Sequence, residues 1–388
     1  MATRTRTAWL VLASVALVAC SHIGQQGGGH GEAATAHPAP ARIGSLRLIG
    51  STSLATGVLF EGVEFGGISG LDRAADGSYW ALSDDRGGER GAPRFYNLRI
   101  THGPAGPLEV QVTRQVRLLR PDATPFPADA RTVDPEAIRT AANGHLYWAS
   151  EGIWHADPAR RHPPFIREMD PSGAHLREFP LPAAYRQVDN ATAGSRDNKG
   201  FEALAVTPDG TLYVANEDAL IQDGPTTSLQ HGSVVRVTAL DPRTGAAGRQ
   251  HAYALPPVPV DAAANAPFGP DNGLTELLAV DDSHFIAVER AFAFGVGNTI
   301  RLVLTGFDAQ TTDVSQVAQL RPGGYRPMSR RLLLELPLRY QGLQIDNIEA
   351  LSWGEPLPNG HRTLILAADN NFMPRTQSTQ FLVFEVLP

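Results

Sequence analysis

Acidic residues recur in this 388-residue chain at spacings that suit oxygen-ligand chemistry. Five segments share one pattern: Ile68–Asp72 with Ser78–Asp85, Glu136–Arg139 with His145–Glu151, Glu202–Val206 with Thr211–Asp218, Thr275–Val280 with His284–Glu289, and Glu349–Trp353 with Thr363–Asp369. In each, one acid opens the first run: Glu136, Glu202, Glu276 and Glu349, with Ser69 in that place in the first segment. A second set closes the second run: Asp84 and Asp85, Glu151, Glu217 and Asp218, Glu289, and Asp369. From Glu136 to Glu151 and from Glu202 to Glu217 the interval is the same, 15 residues.

Carboxylates gathered at one place repel unless something neutralises them. Hard cations do so through oxygen ligands, and calcium takes six to eight of them. The expected ligand set is Asp84, Asp85, Glu136, Glu151, Glu202, Glu217, Glu289, Glu349 and Asp369, with calcium as the ion. An ion so held activates water and screens an anionic substrate. Glu136, Glu202, Glu276 and Glu349 are the catalytic candidates. Arg86, Arg290 and Lys199, the one lysine of the chain, are the candidates for holding anionic oxygens. Arginines and backbone N–H groups are the other neutralisers, and an acid repeated in this way also serves as a strut between repeats.

Each segment reads as two short strands joined by a polar turn such as Pro208-Asp209-Gly210. The repeat starts, at 69, 136, 202, 276 and 349, leave room for two more strands per period. Ser233–Thr238 and His251–Leu255 supply them in the third period, Ile300–Leu304 and Arg331–Leu336 in the fourth. Four antiparallel strands per period make a propeller blade. The last period has three strands, ending at Gln380–Val386, and Ser45–Ile49 completes it from the other end of the chain. The expectation is an all-β propeller of five four-stranded blades, six being the alternative count, closed by pairing of the two termini. Because the start of one strand and the end of the next share an edge, both acid sets are expected at one end of the central channel.

The 38 Gly and 30 Pro agree with many turns. A net charge of −7 argues against a nucleic-acid partner. A single cysteine excludes a disulfide framework and a cysteine-rich metal site. No G-x-S-x-G elbow and no H-E-x-x-H occur. Ser69 is read as filling the first-acid position, Trp80, Trp148 and Trp353 as packing between blades, and His145 and His284 as solvated surface away from the acids.

The first residues read as an address. Arg4 and Arg6 precede an apolar run, Trp9–Ala19, too short to span a bilayer comfortably. Leu17-Val18-Ala19-Cys20 resembles a bacterial lipobox, which implies a signal peptide over residues 1–19 and lipidation of Cys20. Residues 20–42 read as a Gly-, Ala- and Pro-rich tether, and 43–388 as the propeller. Ser21, rather than an aspartate, implies sorting to the outer membrane facing the periplasm, or export. Loss of a signal carrying two positive charges takes the net charge from −7 to −9. The expected partners are a small anionic or ester substrate and, through the anchor alone, the membrane. The expected state is a monomer.

Several phrases carry a family resemblance. They are NKGFEALAV followed by LYVANED (198–218), DPEAIR followed by LYWASEG (134–152), GGISGLD followed by YWALSDDRG (66–87), and DNIEALSW followed by LILAADNNF (346–372). Together they resemble the phytase-like family, known by the description "esterase-like activity of phytase", over residues 45–388. The resemblance implies an envelope or secreted β-propeller that hydrolyses phosphate or carboxylic esters. It is more distant from the six-bladed β-propeller phytases, whose acidic mouths hold calcium. Two rival functions share the same acid-lined channel: a non-catalytic binding propeller, and a lactonase-type calcium propeller.

Overall fold

Short apolar runs rich in Val, Leu, Ile, Tyr and Phe, several of them ended by an Asx–Gly turn, leave this chain little choice but antiparallel sheet. The computed structural model describes residues 43–103, 106–189 and 191–388. The expected signal peptide, the expected lipidation site Cys20 and the expected tether lie outside these residues. The turn between first and second strands is built the same way four times. Asp76, Asn143, Asp209 and Asn359 each accept, through Oδ1, the N–H two residues on, at 2.9–3.0 Å. The glycine after each of them (Gly77, Gly144, Gly210 and Gly360) has φ of 82–88°, which an L side chain rarely adopts.

Five four-stranded antiparallel sheets result. Blade 1 is Ile68–Arg73, Tyr79–Ser83, Arg94–Gly103 and Gly106–Arg117. Blade 2 is Pro135–Thr140, Leu146–Ser150, Phe165–Met169 and His175–Glu178. Blade 3 is Phe201–Val206, Leu212–Asn216, Ser233–Leu240 and Ala247–Leu255. Blade 4 is Asp271–Ala279, His284–Ala293, Gly297–Gly306 and Ser329–Leu336. Blade 5 is Asn347–Trp353, Thr363–Asp369 and Ser378–Leu387, with Ser45–Ala55 as its outer strand. The closing pair runs from Ser45 opposite Leu387 to Ala55 opposite Ser378. This is the expected five-bladed propeller. Among the described residues, helical structure is limited to three short 3-10 turns, and no helix is long and apolar enough to cross a membrane.

The first strands of successive blades contact one another, and that of blade 5 contacts that of blade 1, so the inner strands close a ring. The apolar core lies between blades in five clusters, one per neighbouring pair. Alternate residues of each strand face one neighbour or the other, which is why second strands such as Leu146–Ser150 are buried throughout. Trp80 and Trp148 sit in the cluster between blades 1 and 2, where Trp148 meets Phe165 edge-on at 4.9 Å. Trp353 donates from Nε1 to Ala279 O of blade 4 at 2.9 Å.

Candidate active site at the acidic mouth

Every first strand slips register by one residue near its start, and this bulge positions the site. The residue left without a partner is Ser69, Glu136, Glu202, Thr275 or Glu349 in blades 1 to 5. A β-bulge re-aims one side chain while the rest of the strand keeps its alternation. Here it turns three glutamates into the channel mouth. Ser69 and Thr275 fill the other two places and are fully buried, Ser69 donating from Oγ to Pro135 O at 3.4 Å.

The second ring follows from the same register. Ser83, Ser150, Asn216, Glu289 and Ala368 pair with the residue before each bulge. The next residue in each case is Asp84, Glu151, Glu217, Arg290 or Asp369. Four acids and one arginine therefore make this ring.

Blade 4 corrects the expectation there. Glu276 is one residue past the bulge, so it faces the core, beside Arg139 Nη2 at 2.7 Å and accepting from Leu277 N at 2.9 Å. Glu289 is one residue short of the ring. It is buried against Arg330 (2.5 Å) and the Tyr253 hydroxyl (2.5 Å). Neither belongs to the mouth. The 15-residue interval was the available signal: it runs from 69 to 84, 136 to 151, 202 to 217 and 275 to 290 alike. Asp85 also turns away, to Arg94 Nη1 at 2.6 Å and to the N–H groups of Gly87 and Arg90. His145 and His284 lie at the far ends of their second strands, as expected, but each contacts an acid, Glu168 at 2.7 Å and Asp281 at 3.0 Å.

The mouth opens into a cavity of about 830 Å3 whose lining includes nine carboxyl side chains and two arginines, Arg86 and Arg290. Asp134, Glu136 and Glu151 each bring a carboxylate oxygen within 4.8 Å of the others. Asp134 precedes the bulge by two residues, outside both repeated acid sets. Not all these acids have partners. Glu151 accepts from Gly200 N at 2.8 Å. Asp369 accepts from Asn371 N at 2.7 Å, and Asn347 donates to both Asp369 and Glu349. Glu217 lies behind the wall between Lys199 (2.8 Å) and Arg290 (3.0 Å). By contrast, among the described residues Glu136 and Glu202 have no cationic group in contact, and Asp84 Oδ1 is buried with no hydrogen-bond donor.

Their protonation reflects this. Burial, then neighbouring carboxylates, pushes Asp84, Glu136, Glu151 and Glu202 well above the usual carboxylate range. Burial likewise lifts Glu349 to about 8 and Asp134 and Asp369 to about 6. A site in which so many carboxyls resist ionisation is one that a multivalent cation would relieve.

The basic residues are already engaged. Lys199 contacts Glu217 and Asp271 (2.9 Å) and does not line the cavity. Arg86 contacts Asp134 at 3.2 Å. Arg290 contacts Glu217, and Glu349 at 3.4 Å, and it faces the cavity.

A family profile described as "Phytase-like: Esterase-like activity of phytase" matches residues 63–372. No curated protein matches the chain in sequence. Among solved structures, it is similar to a glycoside hydrolase family 43 β-1,3-galactosidase bound to galactodeoxynojirimycin (9% identity, TM-score 0.43, 85% of this chain and 94% of that one). It is similar to the PQQ-bound aldose sugar dehydrogenase of Streptomyces coelicolor (12%, 0.36, 89% and 99%). It is also similar to the periplasmic gluconolactonase of Pseudomonas aeruginosa (14%, 0.35, 84% and 90%).

Proposed function

We propose, on the premise that the chain belongs to the phytase-like family, that its acidic chamber hydrolyses phosphate or carboxylic esters with the help of a bound cation, calcium being the first choice. The observation that carries this reading is a set of buried carboxylates left without a cationic contact, Glu136 and Glu202, beside Asp84 Oδ1, which is buried with no hydrogen-bond donor. Asp134, Glu136 and Glu151 would hold the ion, with Asp84 and Glu202 lining the same cavity from the blades on either side. When bound, such an ion polarises the ester and lowers the pKa of water. Arg290 faces the cavity and is placed to orient an anionic oxygen. Glu349, lifted to about 8 by burial, holds a proton at neutral pH that it can give to a leaving oxygen.

The test is calcium titration by calorimetry beside release of nitrophenol from p-nitrophenyl phosphate and p-nitrophenyl acetate. Wild type should bind calcium and turn over at least one of them, and Glu202→Gln should lose both. Failure to bind any divalent cation would leave the acids as struts. The contacts of Glu151 with Gly200 and of Glu217 with Lys199 favour that second reading, a ligand-binding propeller.

For location, we take Cys20 as the anchor site and the outer membrane as the destination. Cys20→Ala should move the protein from the membrane to the soluble fraction.

A further inference from the structure

Blade 4 differs from the others above the ring. Its second strand, His284–Ala293, runs 10 residues, against 5 in blades 1, 2 and 3. Pairing continues past Arg290, to Phe292 opposite Asn298 and Ala293 opposite Gly297. The hairpin tip therefore stands over the mouth. Backbone from the loop before blade 4 secures it, Ala263 N donating to Phe294 O at 2.8 Å. Phe268 of that loop packs against Phe292 and Phe294, with centroids at 6.2 and 5.6 Å. Val296 and Leu338 extend the surface, and Met373 faces it from blade 5. Phe268 and Met373 are both 55% exposed, and Phe294 is 41% exposed.

These side chains line the same cavity as Asp84, Glu136 and Glu202. Apolar surface left open beside buried polar groups marks a binding site. We propose that it is a recognition wall for the organic body of the substrate, and that the substrate is a neutral or singly charged ester carrying an aromatic or alkyl group. Two features select this occupant. A cavity of about 830 Å3 suits a small molecule rather than a protein segment. The two arginines of the lining are already paired with acids, so the charges of a polyanion such as an inositol polyphosphate would go largely unmatched. Apolar contact with the wall carries no such penalty and adds binding with each buried methylene.

This inference rests on the chamber being the reaction site, so its test separates the two. The full chain is assayed with p-nitrophenyl acetate, butyrate and hexanoate and with inositol hexakisphosphate, in calcium. Binding of the neutral fluorophore N-phenyl-1-naphthylamine is titrated independently of turnover. The expected result is kcat/KM rising roughly tenfold or more from acetate to hexanoate, little release of phosphate, and saturable naphthylamine binding. Phe268→Ser with Phe294→Ser should flatten the hexanoate-to-acetate ratio and weaken naphthylamine binding at least fivefold. Both side chains are exposed, and an unchanged melting curve checks that the fold survives; Val296→Ser gives a second, milder variant. Naphthylamine binding that depends on the wall, without turnover of any ester, would support the wall and refute the proposed reaction. Turnover with no chain-length dependence, and naphthylamine binding indifferent to the variants, would overturn the wall and keep the reaction. Efficient hydrolysis of inositol hexakisphosphate in preference to the hexanoate would also overturn it.

Discussion

Arg139 of blade 2 meets Glu276 of blade 4 at 2.7 Å, an ion pair between two blades that are not neighbours in the ring. The same guanidinium donates to Leu71 O of blade 1 at 2.7 Å and to Leu277 O of blade 4 at 2.8 Å. Arg139 lies three residues after the bulged Glu136, so it crosses the channel just beneath the acid ring. It is 2% exposed. The acidic mouth therefore has a polar floor at Arg139. Glu276 belongs to that floor: burial raises its pKa to about 8, against the pull of Arg139.

Removing the floor should cost stability without touching the ion site. Arg139→Met removes the donor to three carbonyls and leaves a buried carboxyl without its partner, and loss of one partner of a buried pair typically costs about 3–5 kcal/mol. Urea denaturation should show a loss of that size, while calcium affinity per folded molecule stays within about twofold. A large loss of calcium affinity would mean that the floor and the mouth are one site.

The bulge explains both what was legible in the chain and what was not. The repeat, the blade count and the closure by Ser45–Ala55 follow from alternation and turns, because each strand must bury both faces between neighbours. Glu136 and Glu202 were recognisable because each bulged residue stands 15 residues before its ring acid, Glu151 or Glu217, and Glu349, 20 residues before Asp369, by its place at the start of the repeat. In blade 4 the acids of the sequence, Glu276 and Glu289, stand one residue to either side of the ring positions, Thr275 and Arg290. A pattern of residue types selects the acids, whereas register selects the places. The wall at Phe268 and Phe294 had no signal of this kind, since it arises from one lengthened hairpin and carries no repeat.

Gly200 and Gly273 test the contact between successive blades. A Cβ on Gly200 would lie 2.5 Å from Glu151 Cβ and 2.7 Å from its Cα, and one on Gly273 would lie 2.5 Å from Glu217 Cγ. The backbone of one blade presses on the ring acid of the blade before it. Gly200→Ala should destabilise by about 1–3 kcal/mol as an overpacking change, and it should lower calcium affinity because Glu151 must shift. An unchanged melting temperature would show that the blades slide apart freely.

The raised carboxyls fix the direction of the pH dependence. Asp134 and Asp369 titrate near 6 and Glu349 near 8 in the folded protein, against roughly 4 when unfolded. The folded state then holds more protons than the unfolded one between these values, so stability falls as pH rises through them. A group displaced by two pKa units accounts for about 3 kcal/mol. In chelator, the melting temperature should drop by roughly 5 °C or more between pH 5 and pH 8.5. Calcium should flatten the drop, since it supplies the missing positive charge. A chelated protein that gains stability over this range would contradict the raised values.

Arg290 is the one basic member of the second ring, and its removal should act in opposite directions on cations and anions. It contacts Glu217 and Glu349, and Asp271 at 3.7 Å; in Arg290→Gln, Glu349 loses its cationic contact while Glu217 and Asp271 keep Lys199. The mouth becomes more negative by one charge at constant shape. Calcium affinity should therefore rise, by roughly tenfold for a divalent ion about 6 Å from the guanidinium at the dielectric of water, and by more at a lower one. Binding of inorganic phosphate or of a phosphate ester should fall by a similar factor, because the guanidinium that faces the cavity is gone. Calorimetry with calcium and with phosphate, at equal ionic strength, reads both changes. If both affinities fall together, Arg290 acts by holding the fold of the mouth. If calcium affinity does not move at all, the ion sits away from the ring.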